Sequence, residues 1–392
     1  MCRIHKAFTI RIPLGAILCL FLILLSSCDN IPSSSPFDLE TVRALQTSLD
    51  DSVSFLTVPG AVVLIKAPDG SQWIGSSGVF RIESSGPWRG PSMGRDLYFR
   101  VGSNTKTLTA TIILQLEEEG KLTLEDSVYH WIGDIVPNSK KITVYNLLSM
   151  TSGLQDFTTS SFMNDTVNDP LRHYTPEELI QLSNANKGGV VKFAPGERWD
   201  YCNTNFILLG MIIERVTGDT YEHEVAERIL KPLNLSHTLA PGKDEFEMPA
   251  PYAHGYVFLE KNPDGWKDLS VQNASAAWSA GSLISTAEDM GNWIDNLIGG
   301  VLLEETSRNK MFNWKYTNEM KEFKHYGLGV LKYNGAIGHI GSILGYRSCI
   351  MGYQGYSFVV LLNSYPTIRE YEHHDAIYVY QKLAETLGLY SD

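Results

Sequence analysis

Ser103 and Lys106, three positions apart, could together carry out acyl transfer. That chemistry needs an activated nucleophile, a group that moves its proton, and hydrogen-bond donors for the developing oxyanion. The pair lies where a β-like run at residues 97–101 leads into a helix predicted over residues 107–119, so both side chains would share one face of the first turn. Unpaired N–H groups at a helix N-terminus favour negative charge on the serine. A lysine held beside the serine and partly removed from water can lose its proton and act as the base.

The Ser-x-x-Lys pattern alone is not specific, because the chain contains it again at Ser307 and Lys310. Close by, Tyr316 begins a Tyr-x-Asn pattern and His325 begins a His-x-Gly pattern. No strand leads into Ser307, and residues 307–327 lie too close together in sequence to come from separate elements around a cleft. We therefore interpret this second set as chance matches on a solvated helix and loop.

The surroundings of Ser103 are more specific. The nucleophile motif occupies residues 99–106, and related segments follow at residues 118–122, 142–154, 193–197, 201–210, 279–286 and 338–342. In content and order these segments resemble the serine β-lactamase-like family, which includes class C β-lactamases, D-alanyl-D-alanine carboxypeptidases, D-aminopeptidases and related esterases. The resemblance extends from about Gly60 to the C-terminus. It implies that Ser103 attacks a carbonyl group and forms an acyl-enzyme.

The resemblance also implies roles for the Tyr-x-Asn motif, which is Tyr201-Cys202-Asn203 in this chain. Tyr201 would be a phenolic base or acid, and Asn203 would bond both the substrate and Lys106. The unperturbed pKa values of tyrosine and lysine are both near ~10, so either group needs a positive or desolvating environment to act as base at neutral pH. The sequence leaves both candidates for the general base open.

The third motif, from His339 to Ser342, would line the cleft on a strand. His339 stands where other members carry Lys, Gly341 completes the motif, and the backbone N–H of Ser342 would join that of the nucleophile in an oxyanion hole. The middle position is often Thr, whose hydroxyl helps to hold a substrate carboxylate, but here it is Ile340. This change weakens the case for a C-terminal carboxylate or a β-lactam as the preferred substrate. Arg347 on the next β-run could replace the hydroxyl by bidentate pairing, or it could form a salt bridge at the rim.

Patterning predicts an α/β (α+β) fold. A helical pattern at residues 38–53 precedes two short strands, at 60–66 and 71–75, and residues 123–295 then alternate helical patterns with loops. Strand patterns return near the C-terminus, at residues 327–333, 336–340, 346–351 and 356–362, before a last amphipathic helix over about residues 369–387. This order predicts one antiparallel sheet built from both ends of the chain, with an inserted helical lobe.

Residues 38–392 would form a single hydrolase domain of the β-lactamase/transpeptidase-like fold. Its sheet lobe, flanked by the terminal helices, would contain about residues 38–120 and 325–392. The inserted all-helical lobe would contain about residues 121–324, and the cleft would lie between the two lobes.

The first 27 residues are predicted to be a signal peptide. A basic start precedes an uncharged apolar run at residues 12–25, which is short for a spanning helix. The run ends in a sequence that resembles a bacterial lipobox, with Cys28 as the lipidated residue; an ordinary signal peptide with a chance cysteine is the alternative. Residues 28–37 would form a flexible tether. We therefore expect a lipoprotein of the cell envelope, anchored outside the cytoplasmic membrane on its periplasmic or extracellular side.

The mature chain would keep two other cysteines, Cys202 and Cys349. A disulfide between them is possible in an oxidising compartment, although no spacing signature supports it. Cys202 lies in the middle of the Tyr-x-Asn motif, and we predict that it points away from the cleft and packs in the core.

Composition and the remaining motifs exclude several classes of function. The chain of 392 residues carries 32 Lys and Arg against 44 Asp and Glu, a net charge of −12, which argues against nucleic-acid binding. It has no Gly-x-Ser-x-Gly elbow, Walker A or dinucleotide motif. His223-Glu224 has Glu227 where a zinc protease would have its second His, and the Glu-His-His-Asp run at residues 372–375 is predicted to be a solvated helix face. No metal or cofactor is expected.

The leading hypothesis is a serine hydrolase that acts on cell-wall peptides as a D-alanyl-D-alanine carboxypeptidase does. A β-lactamase or an esterase of the same family is the alternative, so the substrate would be a small peptide, a β-lactam or an ester. A non-catalytic, penicillin-binding-like lipoprotein that retains the fold is a hypothesis of a different class.

Overall fold

A computed structural model describes residues 36–84, 88–242, 245–259, 265–317, 323–365 and 375–390. The α-helices in this part of the chain are Leu39–Leu56 (α1), Thr105–Glu118 (α2), Val128–Ile132 (α3), Val144–Leu148 (α4), Ser160–Asn168 (α5), Pro176–Ala185 (α6), Asn203–Thr217 (α7), Tyr221–Val225 (α8), Ala287–Gly299 (α9), Glu305–Met311 (α10) and Asp375–Thr386 (α11). The strands are Gly60–Lys66 (β1), Gln72–Gly78 (β2), Phe99–Arg100 (β3), Tyr256–Phe258 (β4), Trp266–Asp268 (β5), Ile284–Ser285 (β6), Lys315–Tyr316 (β7), His325–Tyr326 (β8), Leu331–Tyr333 (β9), Ala336–Ile343 (β10), Tyr346–Tyr353 (β11) and Tyr356–Leu362 (β12).

The main sheet is antiparallel and joins strands from both ends of the chain. Its strand order is β2-β1-β12-β11-β10-β9-β8-β7. The register places Ala61 of β1 opposite Leu362 of β12, and Lys66 opposite Ser357. Two short antiparallel pairs, β3 with β6 and β4 with β5, lie outside this sheet. The predicted α+β fold, with a sheet built from both chain ends, is confirmed.

Strands β1 and β12 are buried along almost their whole length. Successive side chains of a strand point to opposite faces, so continuous burial means that both faces of the sheet are covered there. The helices in contact are α9, which packs on β1, β11 and β12, and α11, which packs on β11, β12 and α1. The apolar runs of these strands therefore form the middle of the core.

Helix α2, which follows the nucleophile, is buried on every side over residues 105–114. The sequence predicted this helix from one apolar face, but its polar positions are buried as well. The hydroxyls of Thr107, Thr109 and Thr111 donate to carbonyl oxygens one turn earlier, and Trp293 donates its indole N–H to Thr107 Oγ1 at 2.8 Å. Threonine can satisfy its hydroxyl within a helix in this way, so α2 can lie in the interior.

One strand is shorter than its sequence pattern predicted. The strand predicted over residues 327–333 begins only at Leu331, because Gly329 has a φ of +73° and packs so closely on α2 that a Cβ would lie 2.5 Å from that of Ala110. The described part of the last helix is Asp375–Thr386. The predicted residues 369–374 lie outside the described part of the chain.

The second Ser-x-x-Lys pattern lies on α10. Ser307 is buried, and Lys310 forms an ion pair with Glu117 at 2.9 Å. The predicted solvated helix is therefore only partly correct, since one side of α10 packs against the protein.

Within the described residues, no helix has the length and apolar character needed to span a bilayer. The predicted signal peptide and Cys28 fall among residues 1–35, which are not described. The lipid anchor and the envelope location stay predictions.

Candidate active site

Ser103 lies on a single 3-10 turn, Gly102–Asn104, between β3 and α2. The turn is fixed to β11 by side chains. Asn104 Nδ2 donates to Ser348 Oγ at 2.7 Å, and Ser348 Oγ donates to the Val101 carbonyl at 2.8 Å. The serine that the sequence selected is thus held rigidly where the sheet meets the helices.

Lys106 points from the first turn of α2 at the serine. Its Nζ lies 3.0 Å from Ser103 Oγ, 2.8 Å from Asn203 Oδ1 and 2.6 Å from the carbonyl oxygen of Ala280. The side chain is fully buried, and this burial lowers its pKa to about 7, against the opposing charge of Asp156. A substantial fraction of Lys106 is therefore neutral at neutral pH and able to accept a proton.

Tyr201 is the second polar group at the nucleophile. The Ser103 side chain is among the groups that act on its pKa, and Lys106 Nζ lies 5.2 Å from the centre of its ring. Burial raises the pKa of Tyr201 well above its ordinary value. The phenol is thus protonated at neutral pH. Of the two candidate bases that the sequence left open, Lys106 has the pKa suited to accepting a proton, whereas Tyr201 keeps its proton and cannot act as the base at neutral pH.

His339 lies on β10 and is neutral. Its Nδ1 is 2.5 Å from the carbonyl oxygen of Ile340, so Nδ1 must carry the hydrogen, and Nε2 accepts from the Tyr326 hydroxyl at 3.3 Å. Burial lowers its pKa to about 3, and the nearby Lys106 contributes to this shift. His339 therefore does not supply the positive charge of the Lys found at this position in other members.

Tyr326 lies in the segment that the sequence analysis placed on a solvated helix and loop, and this placement is wrong for Tyr326, which is buried. Its ring packs against those of Tyr201, Trp199 and His339, with centroids 5.7 to 6.4 Å apart. Tyr326 lies on β8, close to β10 in the sheet. Nothing in the sequence around Tyr326 indicates that its side chain packs against Tyr201 and His339.

The turn and β10 approach each other closely enough to form an oxyanion hole. Gly102 has a φ of +55°, and a Cβ built on it would lie 2.8 Å from Ser342 N. A Cβ on Gly341 would lie 2.0 Å from the Val101 carbonyl oxygen. The backbone N–H groups of Ser103 and Ser342, which the sequence paired, belong to segments in direct contact, and both residues line the same cleft.

Replacing Gly102 by alanine is expected to push the nucleophile turn away from β10. The Cβ would clash with the backbone of Ser342, so we expect a loss of about 2 kcal/mol or more of unfolding free energy and a roughly 100-fold fall in kcat/KM. Urea unfolding and steady-state kinetics measure both effects. Gly120 is the matched control, because it has a similar φ of +67° but nothing within 4 Å of a Cβ. Gly120→Ala should cost only about 1 kcal/mol and leave kcat/KM unchanged; equal losses in the two variants would contradict the close approach.

Arg347 is engaged by an acid. Its Nη1 lies 2.6 Å from Asp375 Oδ2, and its guanidinium lies 4.8 Å from the centre of the Tyr365 ring. The sequence left two roles open for Arg347, a ligand of the substrate carboxylate and a salt bridge. The observed geometry corresponds to the salt bridge. Asp375 is 1% exposed, so its predicted place on a solvated face was wrong.

Both remaining cysteines are buried free thiols. Cys202 Sγ lies 3.4 Å from the Gln155 carbonyl oxygen, and burial raises its pKa to about 12. Cys202 therefore packs in the core, as predicted, and forms no disulfide with Cys349.

Asp156 and Thr158 belong to the site, although the sequence did not select them. Asp156 Oδ2 accepts from Asn203 Nδ2 at 3.1 Å, and Thr158 Oγ1 lies at 3.1 Å from the same nitrogen. Asp156 comes two residues after a segment that carried the family resemblance, but its loop gives no sign of its distant partner.

The cleft beside Ser103 has a volume of about 330 Å³ and is mostly apolar. Its apolar wall is formed by Phe157, Phe162, Met163, Tyr174, Ile343 and Leu344. Asp169 and Arg172 lie near its edge as exposed charged residues.

Among the described residues, no cluster of three or more His, Cys, Asp and Glu is arranged to hold a metal ion. His223 lies 3.4 Å from Asp219 and 3.9 Å from Glu227, which are ordinary contacts along a helix. Residues 372–374 lie outside the described part.

An antiparallel sheet with covering helices, and a serine and a buried lysine where they meet, define the serine hydrolases of the β-lactamase/transpeptidase fold. The family model described as Beta-lactamase matches residues 53–380. The chain therefore belongs to the Beta-lactamase family, as its motifs predicted.

Similar proteins include amidases that act on D-configured substrates. A D-stereospecific amidohydrolase from Streptomyces sp. is 32% identical, with a TM-score of 0.75 over 88% of this chain and 97% of that chain. The D-amino acid amidase from Ochrobactrum anthropi SV3, complexed with D-phenylalanine, is 25% identical, with a TM-score of 0.78 over 89% and 99%.

Curated relatives match over part of their length. PbpX of Bacillus subtilis (strain 168), whose name places it provisionally among penicillin-binding proteins, is 35% identical over 217 residues, which is 55% of this chain and 50% of PbpX. Protein flp of Staphylococcus aureus (strain MW2) is 29% identical over 50% of this chain and 38% of flp. The chain thus spans half the length, or less, of these relatives.

Proposed function

We propose that this serine hydrolase is an amidase that forms an acyl-enzyme on Ser103 and releases an amine from small derivatives of D-amino acids with apolar side chains. The observation that carries the proposal is the 3.0 Å contact between Ser103 Oγ and the buried Lys106 Nζ beside an apolar cleft. The D-configuration is supported by the two similar amidases.

In the proposed reaction, Lys106 is the base and Tyr201 is the acid. Neutral Lys106 takes the proton of Ser103 as Oγ bonds to the substrate carbonyl carbon, and the N–H groups of Ser103 and Ser342 hold the oxyanion. The proton then passes through the Tyr201 hydroxyl to the leaving nitrogen as the C–N bond breaks. Water adds to the acyl carbon and gives a proton to Lys106, and this proton returns to Ser103 when the ester bond breaks.

The wall of the cleft supports an apolar acyl side chain. The rings of Phe157 and Phe162 lie 5.1 Å apart, and those of Phe162 and Tyr174 lie 5.3 Å apart. Thr166 also lines the cleft, and its Oγ1 is 3.1 and 2.9 Å from the carbonyl oxygens of Phe162 and Met163, so its hydroxyl is satisfied within its own helix. Apart from the Tyr174 hydroxyl, the aromatic residues of this wall offer a bound polar side chain no hydrogen-bonding group to replace the water that it would lose.

A D-alanyl-D-alanine carboxypeptidase, the leading hypothesis from the sequence, is the second candidate. Arg172 favours it, because this exposed cation lines the cleft and its ion-pair partner, Glu178, is as far as 3.9 Å away. Ile340 and the pairing of Arg347 with Asp375 argue against it, because neither position then offers a group for the substrate carboxylate.

Hydrolysis by the full chain of D-phenylalanine amide, L-phenylalanine amide, D-alanine amide and a D-alanyl-D-alanine peptide tests the proposal. We expect D-phenylalanine amide to exceed D-alanine amide in kcat/KM by about tenfold or more, because an apolar pocket discriminates by buried surface. Ammonia release and chiral chromatography measure the rates. Faster release of D-alanine from the peptide would favour the carboxypeptidase, and a preference for the L-amide would overturn the D-specific proposal.

Thr166→Phe fills the cleft wall and is expected to remove most of the preference for phenylalanine while D-alanine amide is still hydrolysed. Asp165→Phe adds the same ring at the exposed neighbouring position of α5 and should keep the preference. Because Thr166 is buried, Met163→Trp provides a second filling variant at a partly exposed position. An unchanged preference in both filling variants would exclude this wall as the acyl site.

A further inference from the structure

Asp156 reaches the site through Asn203. Its Oδ2 accepts hydrogen bonds from the backbone N and from Nδ2 of Asn203, both at 3.1 Å, and its Oδ1 accepts from the Thr158 backbone N at 2.9 Å. Asp156 lies in the loop between α4 and α5, and it is not one of the residues that line the cleft. Any influence on the reaction must therefore pass through its neighbours.

These bonds fix which way the Asn203 carboxamide points. Nδ2 donates to two oxygens, Asp156 Oδ2 and Thr158 Oγ1, while Oδ1 accepts from Lys106 Nζ at 2.8 Å. Turning the amide by 180° would place its NH₂ group against the lysine and its oxygen against the carboxylate. The carboxylate thus ensures that an acceptor faces Lys106.

Asp156 also occupies the N-terminus of α7. This helix begins at Asn203, and its N-cap residue, Cys202, makes no side-chain cap bond. A carboxylate is favoured at this end of a helix by the free N–H groups and the peptide dipoles. Here it comes from a residue 47 positions earlier in the chain, so the cap also ties the α4–α5 loop to the start of α7.

We propose that Asp156 is a positioning residue of the reaction, which holds the Asn203 carboxamide oxygen against Lys106 and places a negative charge beside that lysine. The inference rests on the proposed function, in which Lys106 is the base. The other titratable groups that act on Lys106 or Asp156 are Lys192, Tyr201, Cys202 and His339. Lys192 is paired with Asp200, and the other three are neutral near pH 7.

Asp156→Asn in the full chain tests the inference. The variant removes a negative charge that favours protonated Lys106, so the pKa of Lys106 falls. We expect the acid limb of the pH profile of kcat/KM to move to lower pH by roughly one unit. We also expect kcat to fall by roughly 10- to 100-fold with little change in KM, because Asn203 is no longer held in one orientation. The rate at which a fluorophosphonate labels Ser103 gives the same profile without turnover of an amide.

Two further variants separate this role from a structural one. Asp165→Asn removes the same charge at an exposed position on α5 and should leave both the limb and kcat unchanged. Thr158→Val removes the second acceptor of Asn203 Nδ2 but keeps the carboxylate, so kcat should fall without a shift of the limb.

An acid limb that stays in place in Asp156→Asn, with rates within about twofold of Asp165→Asn, would overturn the positioning role while the proposed function stands. A loss of activity in Asp156→Asn that only follows unfolding, with the limb unchanged, would also overturn it. Wild-type protein without any Ser103-dependent turnover or labelling would overturn the proposed function, and this inference with it.

Discussion

Ser103→Ala is expected to lower amide and ester hydrolysis by at least roughly 10³-fold, the largest effect of any single substitution. The substitution removes the atom that would form the acyl-enzyme. The fold should persist, because the turn is held by the hydrogen bonds of Asn104 and Ser348 and not by the serine side chain. Initial rates, together with the intact mass after reaction with a fluorophosphonate, measure the loss of turnover and of the covalent adduct.

Ser307→Ala is the matched control, because it removes a serine from the other Ser-x-x-Lys pattern of the chain. It should keep both turnover and the adduct. If Ser103→Ala retained turnover within about tenfold of wild type, the nucleophile would have to be another residue. If Ser103→Ala lost turnover but still restored the phenotype of cells that lack the protein, the result would support the non-catalytic binding protein instead.

The pH profile of the wild-type protein is expected to rise through a limb near pH 7. Burial lowers the pKa of Lys106 to about 7, so the lysine is protonated and cannot act as base below this pH. Tyr201 cannot produce this limb, because burial shifts its pKa in the opposite direction. Lys106→Met should abolish the limb and lower kcat/KM by roughly 10³-fold or more, as measured from pH 5 to 9.

Lys310→Met is the control for this prediction, because Lys310 pairs with Glu117 on the second pattern. If the acid limb of the wild-type pH profile persisted in Lys106→Met, the titration would belong to another group.

The stability of the folded protein gives a second readout of the Lys106 pKa that does not need activity. Since the pKa of Lys106 is near 7 in the folded state and near ~10.4 when unfolded, the unfolded chain binds more protons between these values. The free energy of unfolding should therefore rise with pH in this window, and less so in Lys106→Met.

Local patterns were sufficient for strands β1 and β12 and for the nucleophile turn. The continuous apolar runs of residues 60–66 and 356–362 are properties of the strands themselves, and the structure places β1 and β12 at these residues. Ser103 and Lys106 are three residues apart on one helical turn, so their contact follows from local geometry. Only the family resemblance predicted that Asn203 joins them, since Asn203 lies 97 residues away from Lys106 in sequence.

The partners that the sequence missed are those set by tertiary contacts alone. Tyr326 meets His339 because two strands of the sheet bring them together, and Asp156 meets Asn203 because a loop caps a distant helix. Arg347 and Asp375 were treated independently at the level of sequence. Their local patterns predicted a substrate ligand or a rim salt bridge for Arg347 and a solvated helix face for Asp375. Their pairing and burial depend on how α11 packs against the sheet, which neither local pattern contains.

The pairing of β1 with β12 has a consequence for how the protein is made. Synthesis delivers the N-terminal strands first, so β1 has no partner on one of its edges until β12 emerges. Until then the unpaired backbone N–H and C=O groups along that edge of β1 are open to pairing with other chains. The sheet should thus form late and slowly, by contacts between distant parts of the chain, and the unfinished polypeptide would benefit from chaperone protection. A premature stop before residue 356 would remove a central strand, and such fragments should aggregate instead of forming a smaller stable protein.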